Sequence, residues 1–554
     1  MLDTDGTREG ERDAGRSRRR HNTRTLTAVL AVSALALAGC TSDPTGTGAA
    51  GAGRTRTAGS ADADPATAVL QRPRGGIERL AGDPAEAAVA VSRALFASAP
   101  AVVVLADGAA GGETDGDADG DHGAVPGRAA DRAVELGVPL LLVATASNVD
   151  PHAAVRDEIK RLGAGSVVTF GTPDGGWDGL LDGLGTVETV DGSATAAADL
   201  PDARASTAGG ADFAVVHREG RAATTYAAAL ATARSAGAGV HALDSADPRD
   251  GADDLAFFAD HAKAAVYGVG PGLGSAGDFE ALAATAAGGS ELPGGGQLVF
   301  PGRRMVALYG HPETSALGML GEQGVDAAIT RVKALAAEYQ PHSAEPVQPA
   351  FEIIATVASA APGADGNYSR YTDVEVLRPW IEAAGEAGVY VVLDLQPGRN
   401  DFLTQAKHYE EFLRLPHVGL AYDPEWRLGP NQRHMVQIGT VDAAELNEVN
   451  AWLAGLTREH ALPQKVVVLH QFQLRMIADR GSLDTGYPEL ALVLHADGHG
   501  TPGQKLETWN ALRRDLPPGI RMAWKNFVDE DSPTFTPVET FTEVTPKPWF
   551  VSYQ

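Results

Sequence analysis

Val418-Gly-Leu-Ala-Tyr-Asp423-Pro-Glu425-Trp426 opens as an alternating strand and closes on two carboxylates two positions apart. Successive strand side chains point to opposite faces, so Gly419, Ala421, Asp423 and Glu425 fall on one side and Val418, Leu420 and Tyr422 on the other. The same design stands about thirty residues earlier in Val389-Tyr-Val-Val-Leu-Asp394-Leu-Gln396, with Asp394 and Gln396 in phase. Both strands carry their carboxylates at the C-terminal end, where parallel α/β proteins place their sites.

Working outward, eight apolar, β-rich segments follow the Pro-Gly-Gly-Gly boundary at 293–296: Met305–Gly310, Ala350–Val357, Val389–Gln396, Val418–Asp423, Lys465–Gln471, Leu490–Asp497, Ile520–Asn526 and Trp549–Gln554. Helix-period segments separate most of them, among them Val325–Tyr339, Val374–Ala387, Asp401–Leu413, Ala443–His460 and Gly503–Leu512. Eight strands alternating with helices over about 250 residues predict a (β/α)₈ TIM barrel over 301–554. The proline-rich run before the last strand predicts that one helix is missing there, and the chain stops on strand eight.

Residue parity assigns the barrel's inner set. Strand one offers Tyr309 and His311, strand two Glu352 and Thr356, strand three Asp394 and Gln396, and strand four Asp423 and Glu425. Strand five offers His470 or Gln471, strand six His495 and Asp497, strand seven Lys525 or Trp524 with Asn526, and strand eight Gln554. Polar groups at nearly every strand end are costly unless they bind something. Each taken singly reads as a hydrogen-bonded core group; the ring as a whole reads as a ligand site.

Upstream, residues 77–295 alternate short unbroken apolar strands with helices, as a parallel, Rossmann-like sheet requires. The strands at Val102–Gly108, Val138–Val143 and Ser166–Gly171 are echoed by Phe213–Gly220, Gly239–Asp244 and Ala264–Gly268, so the region reads as a duplication with a degenerate second copy. Residues 41–76, rich in Gly, Ala, Thr, Ser and Pro, read as a flexible linker. Asp115–Asp121 has the D-x-D-x-D-G opening of a calcium loop, but Pro126 stands where the bidentate Glu belongs. A solvated acidic loop is expected instead.

The chain has 554 residues, 44% of them hydrophobic, a formal net charge of −27 and a single cysteine. Such charge argues against nucleic acid and anionic membrane surfaces as partners. One cysteine excludes an internal disulfide framework and any multi-cysteine zinc site. Arg16–Arg24 supply a basic n-region, Leu26–Ala38 a short apolar run, and Leu37-Ala38-Gly39-Cys40 its end.

Three resemblances add to this reading. Leu37-Ala38-Gly39-Cys40 resembles the lipobox of bacterial lipoproteins, which implies that residues 1–40 hold the signal peptide and lipobox and that Cys40 is lipidated. The protein would then sit on the extracellular face of the bacterial membrane, touching it through the lipid alone. Arg79-Leu-Ala-Gly82, the 102–108 strand, Leu136-Gly-Val-Pro-Leu-Leu-Leu142 and Arg161-Leu-Gly-Ala-Gly-Ser-Val-Val-Thr-Phe-Gly171 resemble the cell wall-binding repeat 2 family, which implies attachment to anionic wall polymers. The Asp-x-Glu pair resembles that of chitinase-type and Chalaropsis-type lysozyme barrels. It implies Glu425 as acid/base, Asp423 as the partner that orients substrate or tunes it, and Asp394 as a second partner or stabiliser. Pro424 between the carboxylates departs from that motif. Expected sugar contacts are Tyr309, His311, Gln396, Trp426, His470, Asp497, Trp524 and Lys525, with cell-wall or extracellular polysaccharide as partner and no cofactor or metal.

Two other readings stand beside the glycosidase. One is a non-catalytic carbohydrate- or wall-binding lipoprotein. The other is a metal-dependent hydrolase using His311, His470, His495, Asp497 and His499, which lacks the His-x-His pair such barrels carry after strand one.

Overall fold

The computed structural model describes residues 67–106, 124–143, 152–173, 176–184, 187–192, 204–205, 212–220 and 224–554. Cys40, residues 41–66 of the expected linker and the Asp115–Asp121 loop lie outside them. Residues 67–76, expected in the linker, instead hold the strand Thr67–Leu70, paired with Phe96–Ser98 and Arg204–Ala205, because its Ala68 and Leu70 pack into the N-terminal core. All described residues belong to one compact unit. None of their helices is long and apolar enough to cross a membrane.

The N-terminal part is built twice to one plan. One parallel sheet runs in the order Leu140–Val143, Ala101–Ala106, Ser166–Phe170, Glu188–Asp191. The other runs Gly239–Leu243, Phe213–Arg218, Ala265–Val269, Gly76–Leu80. In each, the copy's first strand sits between its second and third, as the expected duplication demands. The edge strands differ in origin: Gly76–Leu80 precedes the first copy in sequence yet completes the second copy's sheet. The central strands are buried on both faces, which is why they read as unbroken Val, Leu and Ala runs.

The C-terminal part is a closed barrel of eight parallel strands, Arg304–Gly310, Val347–Ala358, Tyr390–Leu395, Val418–Tyr422, Lys465–Gln471, Leu490–Ala496, Arg521–Asn526 and Phe550–Tyr553, with the last paired to the first. All eight expected strands are present. Their outward side chains, such as Leu308, Phe351, Val391, Leu420, Leu469 and Leu494, form one large core with the surrounding helices. The lower inward side chains, including Met305, Ala307, Ala350, Val392, Val468, Val493 and Phe550, form a second core that fills the lumen. Leu292, Val299 and Phe300 join that inner core and close the barrel's N-terminal end. There Phe300 meets Trp549 edge-on at 5.5 Å, and the Arg521 guanidinium lies over the Trp549 ring at 4.5 Å.

Helix placement departs from expectation. The proline-rich connection before strand eight holds a short helix, Pro537–Glu543, opened by a capping box between Thr536 and Glu539 with proline in its first turn. Proline suits that position because its missing N–H would have no helical partner there. The connection without an α-helix is instead the one between strands five and six. It carries only the 3₁₀ turns Leu474–Met476 and Arg480–Ser482 and the two-residue strand Ile477–Ala478.

Candidate active site

Strand four ends at Tyr422, one residue before the acidic pair. Pro424 cannot donate to the ladder, so the chain turns into a 3₁₀ segment, Pro424–Trp426, with Asp423 at its start. Glu425 therefore reaches the barrel mouth from a turn and not by strand parity. Gly439 pins that turn: its N–H donates to the Glu425 carbonyl at 2.7 Å. A Cβ at Gly439 would lie 2.4 Å from the Pro424 carbonyl oxygen, so only glycine fits. Lower on strand four, a Cβ at Gly419 would meet the Tyr390 hydroxyl at 2.9 Å, and that hydroxyl accepts from the Val466 N–H at 3.1 Å. Glycine here leaves room for a tyrosine across the lumen.

At the C-terminal end of the barrel a cleft of about 180 Å³ is lined by Asp423, Glu425, Trp426, Gln396, Tyr309, Asp497 and Lys525. Phe472 and Phe527 complete its wall together with Leu317, Ile354 and Gln554. Beneath lies a buried charge network. The His470 ring faces Glu352 through Nε2 at 2.9 Å and Asp497 through Nδ1 at 3.0 Å. Two flanking carboxylates outweigh the cost of burial and hold His470 protonated well above its ordinary range. Lys525 pairs with Asp497 at 3.1 Å and lies over the Tyr309 ring at 3.8 Å. His495, only 3.3 Å from His470 and facing the Ser552 hydroxyl, is pushed by burial down to about 3 and stays neutral.

The carboxyls divide accordingly. Burial raises a carboxyl's pKa, but the His470 charge brings Glu352 below its usual value, and Lys525 with His470 does the same for Asp497. On strands three and four burial prevails. Asp394, which accepts from the Tyr309 hydroxyl at 2.9 Å, is raised to about 6. Asp423 is raised well above its ordinary value by burial, then by Glu425 and Asp394. Glu425 is raised to about 7, first by burial and then by Asp497. Asp423 is 2% exposed, whereas Glu425 is only partly buried. Glu425 is the proton that an incoming oxygen can reach.

The expected site residues thus come together in part. Asp394, Asp423 and Glu425 converge, with Tyr309, Gln396, Trp426, Asp497 and Lys525 around the cleft. His470 lies below it with both ring nitrogens committed, so it orders carboxylates and does not contact sugar. His311 is removed to a loop: its Nδ1 accepts from the Glu313 N–H at 3.2 Å and its Nε2 faces the Thr372 hydroxyl at 2.9 Å. Trp524 points outward, between Trp509 at 5.7 Å and a stacked Phe535 at 5.8 Å, so it is no platform for a sugar. Of the pair left open on strand seven, Lys525 is the inward residue. Asn526, expected inside, faces the helices, bonding Trp524 and Thr540. Thr356 also faces them, bonding Gln405, because a register shift between Ile354 and Thr356 reverses the parity of strand two. Phe472 and Phe527 went unnamed in the sequence, although extending the parity of His470 and Lys525 by two residues reaches both.

The three described residues close enough to share a metal are Glu352, His470 and His495. The donor set does not suit one. His470 is an imidazolium that spends both N–H groups on carboxylates, and a ligating histidine must offer a free lone pair. His499 is exposed beside Phe527 and His311 is committed elsewhere, so the expected metal-hydrolase set is not assembled.

No family model matches this chain, and no curated protein matches it.

Proposed function

We propose that the barrel is a glycoside hydrolase acting on cell-wall or extracellular polysaccharide, with Glu425 as general acid. The observation that carries this reading is a partly exposed carboxyl raised to about 7, beside two more raised carboxyls, at the C-terminal mouth of a TIM barrel. Glycoside cleavage needs one protonated and one ionised carboxyl at the scissile bond, and these environments divide the two roles. Glu425 gives its proton to the glycosidic oxygen, which leaves with the bonding electron pair. Asp394, ionised above about 6 and buried behind the cleft wall, stabilises through space the positive charge that develops at the sugar carbon. Water then completes the hydrolysis, and its proton restores Glu425. Burial and the neighbouring carboxyls favour the protonated form of Asp423 before a sugar binds. Trp426 offers an apolar ring face, and Gln396, Tyr309 and Lys525 offer polar contacts.

In the same reading Cys40 carries the lipid that holds the protein at the outer face of the bacterial membrane, and the duplicated region docks on wall polymer. The test is to screen wall and capsule polysaccharides for cleavage by the full chain, then repeat with Glu425→Gln. Loss of cleavage by about 10² to 10⁴ with binding retained supports the assignment. Full activity in the variant overturns it, and binding without cleavage in the parent favours the non-catalytic lipoprotein.

A further inference from the structure

The barrel mouth is out of charge balance in one direction. Five carboxyl groups, Glu352, Asp394, Asp423, Glu425 and Asp497, face two cations, His470 and Lys525. His495 adds none, being neutral. His470 is engaged with Glu352 and Asp497 and lies 3.9 Å from Asp394 Oδ1, and Lys525 is engaged with Asp497. On the side of strands three and four, neither Asp423 nor Glu425 has an ion pair among the described residues. Four buried carboxylate oxygens, Glu352 Oε2, Asp394 Oδ1, Asp423 Oδ1 and Asp497 Oδ1, also receive no hydrogen bond. Of these, Asp394 Oδ1 has His470 at 3.9 Å and Asp497 Oδ1 has Lys525, whereas Asp423 Oδ1 has no ion-pair partner among the described residues. Orphaned buried acceptors of this kind are uncommon, because each forfeits a bond that water would have supplied.

What these oxygens lack is donors, and what the site lacks is positive charge. A uronic acid or a phosphorylated sugar would add like charge and be excluded. A neutral sugar would supply hydroxyl donors yet leave the imbalance. An ammonium supplies three N–H donors and one positive charge on a single compact group. The aromatic rings of Trp426, Phe472 and Phe527 line the same cleft and favour a cation over their faces. At about 180 Å³ the cleft lies below the range on the order of 300–1,000 Å³ usual for drug-sized ligands, so it suits a single sugar ring.

Resting on the glycosidase reading, we propose that the sugar recognised beside Asp423 and Glu425 bears a free amine, as in a de-N-acetylated amino sugar. The ammonium would sit against Asp423 Oδ1, at the wall of the cleft that Glu425 shares. The groups facing Asp423 are Glu425, Asp394, His470, Asp497, Lys525 and Tyr309, so bringing in a cation favours ionisation of the raised carboxyls, and the amine gains the proton that a carboxyl gives up.

The experiment is titration calorimetry on the full chain with short oligosaccharides of glucosamine, N-acetylglucosamine, glucose and glucuronic acid. Each is run at pH 7 in two buffers of different ionisation heat. The glucosamine oligomer is expected to bind at least tenfold more tightly than its N-acetylated and glucose counterparts, with glucuronate weakest. It is also expected to be the one whose binding heat depends on the buffer, because its amine and the raised carboxyls titrate together. Asp423→Asn is expected to narrow that preference severalfold. N-acetylated or neutral sugar bound as tightly as the amine overturns the amine assignment and leaves the glycosidase reading standing. Tightest binding of glucuronate overturns the charge argument outright. Silence from all four overturns both.

Discussion

The pH dependence of cleavage is where the site's electrostatics become measurable. On the glycosidase proposal, activity requires Asp394 ionised and Glu425 protonated, and these groups are raised to about 6 and about 7. Their populations cross in a narrow bell centred near pH 6.5. With those two values, the correctly protonated fraction falls about sevenfold from the optimum to pH 5, and about sevenfold again to pH 8. The limbs belong to the coupled carboxyl cluster as a whole, since Asp394, Asp423 and Glu425 sense one another. Lys525 lowers both Asp394 and Glu425, so Lys525→Gln should move both limbs to higher pH by about one unit. Glu425→Gln should erase the alkaline limb altogether, because an amide has no proton to lose in this range. The assay is initial rate against pH at subsaturating polysaccharide, on protein shown to be folded at each pH. A rate that stays level from pH 6.5 to pH 9, or an alkaline limb that persists in Glu425→Gln, would refute the assignment of the acid.

Three further outcomes are expected. Lys465 is buried with only the Leu415 and Val418 carbonyls to donate to, and burial lowers its pKa to about 7. Between that value and the unfolded one the unfolded chain holds the extra proton, so this group's penalty is full below pH 7 and eases as pH rises. Denaturant melts of the parent should gain about 2 kcal/mol from pH 6.5 to 8.5 relative to Lys465→Met, and a constant gap would exclude a neutralised lysine. A fragment starting at 301 loses Leu292, Val299 and Phe300 from the inner core, whereas one starting near 288 keeps them. Thermal melting should find the longer fragment more stable by several kcal/mol, and equal melting points would mean that the plug contributes nothing. Cys40→Ala should move the protein from the membrane fraction to the soluble one; unchanged partition would remove the lipid anchor.

The sequence made the barrel readable because its signal is repeated and physical. Each strand buries both faces, so it appears as a compact apolar run, and eight such runs at helix-length spacing leave few other architectures. Side-chain direction was less secure. Lys525 and Trp524 are adjacent, and composition favours the tryptophan for the interior; the structure puts the lysine inside because Asp497 and the Tyr309 ring receive its charge. Thr356 escaped because a bulge leaves no mark in composition. Glu425 was placed at the mouth by a strand that does not extend that far. The conclusion held because Pro424 substitutes a turn that delivers the carboxyl to the same place. The missing helix was sought at the prolines, yet prolines at a helix start are compatible with helix. The raised carboxyls could be expected from crowding, but their division from Glu352 and Asp497 depends on His470 and Lys525, brought together from strands five and seven.

The edge strand Gly76–Leu80 has a mechanical consequence. It lies parallel to Ala265–Val269 in a five-residue register, from Gly76 opposite Ala265 to Leu80 opposite Val269. The chain enters the first strand from the N-terminus and leaves the second toward the barrel. A pull between the two ends of the molecule therefore drags these strands past each other lengthwise, and does not peel them open from one end. Lengthwise sliding strains the whole row of inter-strand hydrogen bonds together, whereas peeling breaks them one after another. Were the N-terminus fixed and the barrel engaged on a polymer, tension would first load the short strand Thr67–Leu70 on Phe96–Ser98 and then this row, and the exchange of an edge strand between copies would serve as a clasp.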